Sequence, residues 1–339
     1  PGQGRLDHGR DMGLWIRRMA CPDNQPPGSG LCAVRLANYL VLDRAPDGQG
    51  GSVIDRTQGG FFGTPGNLAV MIWRALVMWR HRAPDANLVI NMSVGWEGSP
   101  ELPTASHVAQ AVRGALSHAR CSGALPVVAA GNASDGDAPQ TGPMYPAFFE
   151  DYDWAGCDPL APPGEPMVYS VGGVDGTNQP IASTRANGRP WLTAYAQSIA
   201  VDERYLVPGS AEDPSWGESN WTGTSVAAAA ASATAASVWS YNPDATAGTV
   251  MQVVYDGGLV VPGNPDYCRA PGCMQGEIHE INLCRALVRV DAVLDRVDEG
   301  LAVADGVGVV LAASPLRAHL DDAIVLASGL QHGPALDDA

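Results

Sequence analysis

A chain of 339 residues, 45% hydrophobic and 17% charged, is long enough to bury a sizeable core and too apolar to be a disordered polymer. Its formal net charge is −16, and all 20 of its basic residues are arginine. That balance repels polyanions and anionic lipid surfaces and excludes nucleic-acid and membrane-surface binding, while a neutral or basic polymer remains acceptable as a ligand.

In chain order, the first expected element is an amphipathic helix over His8–Ala20, followed by a strand over Arg35–Leu42. A loop at Asp43–Pro65 leads to a helix over Leu68–Arg82, apolar on nearly every side and so expected to be buried against a sheet. A strand at Leu88–Met92, a helix at Ser106–Arg120 and a strand at Leu125–Ala130 follow. The loop Ala133–Pro166 carries Asp135, Asp137, Glu150, Asp151, Asp153 and Asp158; it reads as a solvated surface loop, with structural calcium as a second reading. Strands at Val168–Val174 and Trp191–Tyr195 precede a loop at Gly209–Asn220. Helices at Ser225–Tyr241, Ala245–Tyr255 and Ile281–Val297 close the series. Strand–helix alternation predicts an α/β fold: three layers, a mostly parallel central sheet, and helices on both faces. Residues 1–299 read as one domain and residues 300–339, rich in Ala, Val, Gly and Asp, as a C-terminal appendage of unknown role. No stretch is apolar and long enough to cross a bilayer.

Seven cysteines, at 21, 32, 121, 157, 268, 273 and 284, show neither Cys-x-x-Cys nor zinc-site spacing. Their scatter fits a few disulfides plus one remaining thiol in an oxidising compartment, so a secreted or periplasmic location is expected, with free buried cysteines in a cytosolic enzyme as the alternative. The chain opens on Pro1 with no leader pattern and reads as a processed or truncated product.

Three separated stretches carry the chemistry. Ser225 follows a Gly-Thr turn and opens a long alanine-rich helix, where a helix N-terminus offers unsatisfied N–H groups and positive dipole. Taken alone, Ser225 or Thr224 could equally be an N-cap. Asn132 ends the buried run Leu125-Pro-Val-Val-Ala-Ala-Gly-Asn132, at the carboxyl edge where open α/β sheets place function. Alone it could be a turn asparagine. His8 sits in Asp7-His8-Gly9 at a helix start, placed to act as a general base; alone it could equally be an ordinary surface histidine. His81, His107 and His118 lie in or near helix patterns with no glycine turn and read as ordinary helix residues. Three Asn-x-Ser/Thr matches, at Asn91, Asn132 and Asn220, read as coincidences.

In combination the stretches resemble the subtilisin-like serine peptidases, the subtilases. The resemblance rests on His8-Gly9, Val89-Ile-Asn-Met-Ser-Val-Gly95, Val127-Val-Ala-Ala-Gly-Asn132, Tyr145-Pro-Ala147, Val168-Tyr-Ser-Val-Gly-Gly-Val-Asp175 and Gly223-Thr-Ser-Val-Ala227, and runs from about His8 to Val297. It implies a subtilisin-like fold with Ser225 as nucleophile, His8 as base and Asn132 as side-chain donor to the oxyanion. It further implies that Ser93, Val94 and Gly95 pair with an extended substrate, and that Ala129, Ala130 and Gly131 line the pocket for the residue before the scissile bond. Peptide or protein substrates, a monomeric state and no required cofactor belong to the same expectation.

The chain departs from the family in four places, one of them Ala196-Gln197-Ser198 where Ala-Pro-Gly is usual before the serine loop. Arg10-Asp11 stands where Thr-His is usual, Ala229 stands where the serine helix usually has proline, and no Asp-Ser/Thr-Gly precedes His8. The orienting aspartate is therefore expected upstream of Pro1, leaving this stretch nearly inactive by itself. The alternative is a catalytically inactive subtilase fold used for binding or scaffolding. No Gly-x-Ser-x-Gly supports an α/β-hydrolase, and no Gly-x-Gly-x-x-Gly follows an early strand.

Overall fold

A computed structural model describes residues 8–21, 34–39, 54–55, 60–61, 64–97, 107–133, 142–150, 156–157, 165–185, 188, 190–202, 218–261, 278–290 and 323–328. Helix α1 (His8–Ala20) leads to β1 (Val34–Tyr39) and the small antiparallel pair β2 (Ile54–Asp55) and β3 (Gly60–Phe61). Next come α2 (Pro65–Arg82), β4 (Asn87–Met92), α3 (His107–Cys121), β5 (Leu125–Ala129), a 3₁₀ turn at Ala147–Glu150, β6 (Tyr169–Val174) and β7 (Leu192–Tyr195). An antiparallel pair, β8 (Ile199–Asp202) with β9 (Glu218–Trp221), precedes α4 (Thr224–Tyr241) and α5 (Ala247–Gly257). Strands β10 (Leu259–Val261) and β11 (Ile278–Glu280), a helix over residues 283–290, and β12 (Ala323–Ser328) complete the chain.

Eight strands form one sheet in the order β1-β12-β4-β5-β6-β7-β11-β10. Every pair is parallel except β10 with β11. Side-chain alternation splits the core in two. Val89, Leu125, Val127 and Ala129 pack with Met12 and Ile16 of α1 and with α4 and α5 on one face. Leu88, Ile90, Met92 and Val128 pack with α2 and α3 on the other. These are the expected three layers: central strands buried on both faces read as near-continuous apolar runs.

Two features differ from the sequence reading. Helix α2 lies against the sheet as expected, but on one face only. It buries the stripe Leu68, Ala69, Ile72, Ala75, Leu76 and Trp79, while Val70, Trp73 and Val77 stay exposed. The fully enclosed helix is α4, buried at every position from Thr224 to Trp239 except Ser225. Its run of alanines explains this, because a helix with only Cβ stubs lets the flanking sheet and α1 approach its backbone closely.

The second difference is β12. Part of the stretch read as an appendage lies inside the sheet, pairing with β1 on one side (Asn38 opposite Ala327) and β4 on the other (Asn91 opposite Ala327). The rest of 300–339 lies outside the described residues, as do Asp135, Asp137, Asp151, Asp153 and Asp158 of the acidic loop. Glu150 of that loop is buried and accepts hydrogen bonds from the N–H of Ser170 (2.7 Å) and from its hydroxyl. Among the described residues no group of three or more His, Cys, Asp or Glu could hold a metal ion. Cys121 is bonded to Cys157, tying α3 to the long loop, and Cys284 is free and exposed.

Candidate functional site

The site builds outward from Ser225. Helix α4 starts after Gly223, whose φ of 145° is a conformation L side chains avoid. A Cβ there would also lie 2.9 Å from Asn132 Nδ2, so only glycine allows the two segments to approach. The turn is pinned from both sides: Gly223 N–H donates to Ala196 O (3.0 Å), and Ser198 N–H donates to Thr222 Oγ1 (2.9 Å). Ser225 is thereby held at the first turn of the helix, the one residue from Thr224 to Trp239 that is not buried.

Thr224 joins this turn to β5. Its N–H (3.0 Å) and hydroxyl (3.2 Å) both donate to Asn132 Oδ1, and its hydroxyl accepts from Gly131 N–H (3.2 Å). A backbone N–H must meet oxygen, so these bonds fix which way the carboxamide faces and turn Nδ2 toward Gly223. The serine turn and Asn132 are thus brought together, at the carboxyl edge of the sheet.

The β4 end is tied to the same turn. Ser93 Oγ donates to Ser225 O (2.9 Å) and accepts from Asn91 Nδ2 (3.1 Å), while Asn91 Oδ1 accepts from Ser232 Oγ (3.1 Å). This relay sets the register of α4 on β4. It also uses both ends of the Asn91 amide in a residue 2% exposed, which leaves no room for a glycan. Ser93, Val94 and Gly95 continue β4 past its last pair with β5, Met92 opposite Val128. Ala129 ends β5, and Ala130 and Gly131 leave it toward Asn132. The Ala130 N–H donates to Val171 O (3.1 Å).

Among the described contacts His8 meets Trp221 rather than Ser225. Helix α1 packs on α4, and the His8 ring meets the Trp221 ring edge-on at 5.1 Å, four residues before Ser225. Trp221 Nε1 in turn donates to Oδ2 of buried Asp11 (2.7 Å), one helical turn along from His8. Sequence reasoning gave Trp221 no role, read Thr224 only as a possible N-cap and read Asp11 only as a departure from the family pattern. The available signal was Asp11, a carboxylate at i+3 from His8 and therefore on the same helix face.

Burial pushes the His8 pKa from its ordinary 6.5 down to about 4. An imidazole so placed is neutral, and able to accept a proton, across the physiological range. Its folded pKa lies below its unfolded one, so the unfolded chain binds the extra proton first. Stability is unaffected above pH 6.5 and falls as pH drops from 6.5 toward 4. The acid limb of serine-directed labelling is expected to have its midpoint near pH 4 rather than 6.5. Labelling rates measured from pH 3.5 to 8 test this, and a midpoint at 6.5 would mean that His8 is not the base or is not buried.

The profile of the Subtilase family matches residues 59–257. That span includes Ser93–Gly95, Ala129–Asn132 and Ser225; it does not include α1 or β12. No curated protein matches the chain. Among solved structures, the self-cleaved protease domain of PatA is 20% identical, covers 77% of this chain and 90% of its own, and has a TM-score of 0.45. The serine protease MycP1, described as an essential component of the type VII (ESX-1) secretion system, is 21% identical, with 70% and 61% covered and a TM-score of 0.44.

Proposed function

From the premise that the chain belongs to the subtilase family, we propose that it is built as a serine endopeptidase acting through an acyl-enzyme. One observation carries the proposal. Ser225 is the one residue not buried between Thr224 and Trp239, at the start of an otherwise enclosed helix, and the partner that its turn grips, through Thr224, is a carboxamide able to donate from Nδ2.

In the proposed reaction the Ser225 hydroxyl attacks the substrate carbonyl carbon as His8 takes its proton. The carbonyl electron pair moves onto oxygen, which receives hydrogen bonds from Asn132 Nδ2 and the Ser225 N–H. Collapse of that intermediate breaks the C–N bond, and His8 returns the proton to the leaving amine. Water then attacks the acyl-serine by the same route, releasing the acid and restoring Ser225. Ser93, Val94 and Gly95 supply the edge on which an extended substrate backbone adds as a strand. No step calls for a metal or organic cofactor; calcium bound elsewhere would serve stability alone.

The Cys121–Cys157 disulfide supports an extracytoplasmic setting, because such bonds persist under oxidising conditions. No helix among the described residues is long and apolar enough to cross a membrane. The substrate is a peptide or protein, and the acidic surface of a monomer disfavours nucleic acid.

Asn132→Ala is expected to lower kcat on a chromogenic peptide by about 10²–10³ with little change in KM, since the oxyanion forms only in the transition state. In subtilisin, the family's namesake, loss of the corresponding donor has that effect. An unchanged kcat in a folded variant would remove Asn132 from the mechanism.

The second reading, an inactive fold used for binding, is favoured by one specific observation. Strand β12 lies between β1 and β4, and α1 packs on it. It ends in Ala327-Ser328 and continues to Gly329, the Asp-Ser-Gly pattern with alanine in place of aspartate. With that slot filled, a carboxylate from any other segment would have to displace β12 or reach His8 from outside the sheet. Assay of the unaltered chain beside its Ala327→Asp variant separates the two readings: turnover already present in the unaltered chain supports the peptidase, and turnover in the variant alone supports the inactive fold.

A further inference from the structure

Two glycines at the site face the same side chain. A Cβ on Gly131 (φ +102°) would lie 2.6 Å from Met144 Cγ and 2.7 Å from its Sδ. A Cβ on Gly95 would lie 3.3 Å from Met144 Cε and 3.4 Å from its Cβ. The Met144 thioether therefore spans the gap between the end of β4 and the end of β5, with its own backbone N–H donating to Ala130 O (3.3 Å). It is only 9% exposed. The next residue, Tyr145, exchanges two backbone bonds with Trp96, each 3.0 Å, so the segment carrying Met144 is clamped to both walls.

This gap matters because of where a substrate must lie. On the reading of Ser225 and Asn132 given above, the scissile carbonyl sits between them. The substrate residue that owns that carbonyl then lies beside Gly131, the chain neighbour of Asn132. Its backbone runs along Ser93–Gly95, and its side chain enters the space between the two segments. Met144 already occupies that space.

We propose that Met144 sets the substrate class of this site, limiting the residue before the scissile bond to glycine, alanine or serine. A benzyl or isobutyl group could enter only by displacing a buried side chain that is held on both sides. Inserting bulk into a filled, well-packed space is unfavourable. Because both walls are glycine where they meet Met144, a shorter residue at 144 would open a deep apolar slot without moving the backbone.

Calorimetric titration of the intact chain with two boronic acids tests this: succinyl-Ala-Ala-Pro-boroAla and succinyl-Ala-Ala-Pro-boroPhe, which form a reversible adduct with a reactive serine. The expected result is at least 10-fold tighter binding of the alanine compound, with the ratio inverted in Met144→Gly and both compounds losing affinity in Ser225→Ala. Equal affinities in the unaltered chain, or a ratio that Met144→Gly does not move, would overturn the role of Met144 and leave the serine site standing. Failure of both compounds to bind a folded sample would instead overturn the reading of Ser225, and this proposal with it. The ratio in the unaltered chain decides the matter even if Met144→Gly fails to fold.

Discussion

Replacing Ala327 by aspartate is expected to raise kcat on an alanine-type peptide substrate by about 10³–10⁴. The argument starts from the base. Nothing in the described contacts of His8 beyond the Trp221 edge fixes its tautomer, and its low pKa means that burial opposes the charged form that must arise when it takes the serine proton. A carboxylate on the strand beneath α1 would supply both missing effects, holding one ring nitrogen and stabilising the imidazolium. Strand β12 is that strand: it is parallel to its neighbours, second from one edge of the sheet, and ends on the same side as β4 and β5, with Ala327 one residue from its end. In subtilisin, removal of the aspartate alone costs about 3 × 10⁴ in kcat, which bounds the gain from restoring it. The variant should also move the acid limb of the rate profile upward, because an adjacent negative charge raises an imidazole pKa. A folded Ala327→Asp protein with no gain would show that β12 does not lie under His8.

Ser225→Ala has the second large effect, and its size depends on the background. Residues that act as a unit are not additive: in subtilisin, loss of the serine alone costs about 2 × 10⁶, nearly as much as loss of the whole triad. Where no carboxylate meets His8 among the described residues, most of that loss is expected to have been incurred already. Ser225→Ala should therefore cost only about 10² in the unaltered chain but about 10⁵–10⁶ in the Ala327→Asp background. A double-mutant cycle read by kcat measures the difference. Equal losses in the two backgrounds would mean that Ser225 and residue 327 do not serve one reaction.

Much of the fold was visible in the sequence because its central strands are buried on both faces. Leu88–Met92 and Leu125–Ala129 could be read directly as apolar runs ending in turn residues. The stretches around Ser225 and Asn132 were readable for a related reason. Close approach of backbone to backbone demands Gly223 and Gly131, and glycines beside Ser and Asn leave a pattern. Strand β12 was not readable in this way. Ala323–Ser328 is one more short apolar run, and its partners Val34–Tyr39 lie nearly the whole chain away, a pairing that no local pattern encodes. The apolar face of α2 misled for the opposite reason: Val70, Trp73 and Val77 have the composition of a buried surface but lie outside. Met144 has no motif. Its role depends on two glycines, 13 and 49 positions before it, meeting in space.

The most direct measurement is fluorophosphonate labelling of the folded chain and of its Ala327→Asp variant, with the adduct located by peptide mass spectrometry. A single adduct on Ser225, formed faster in the variant and slowed by His8→Ala, is the predicted result. An adduct on another serine, or none on either folded protein, would contradict the assignment of Ser225 as the reacting group.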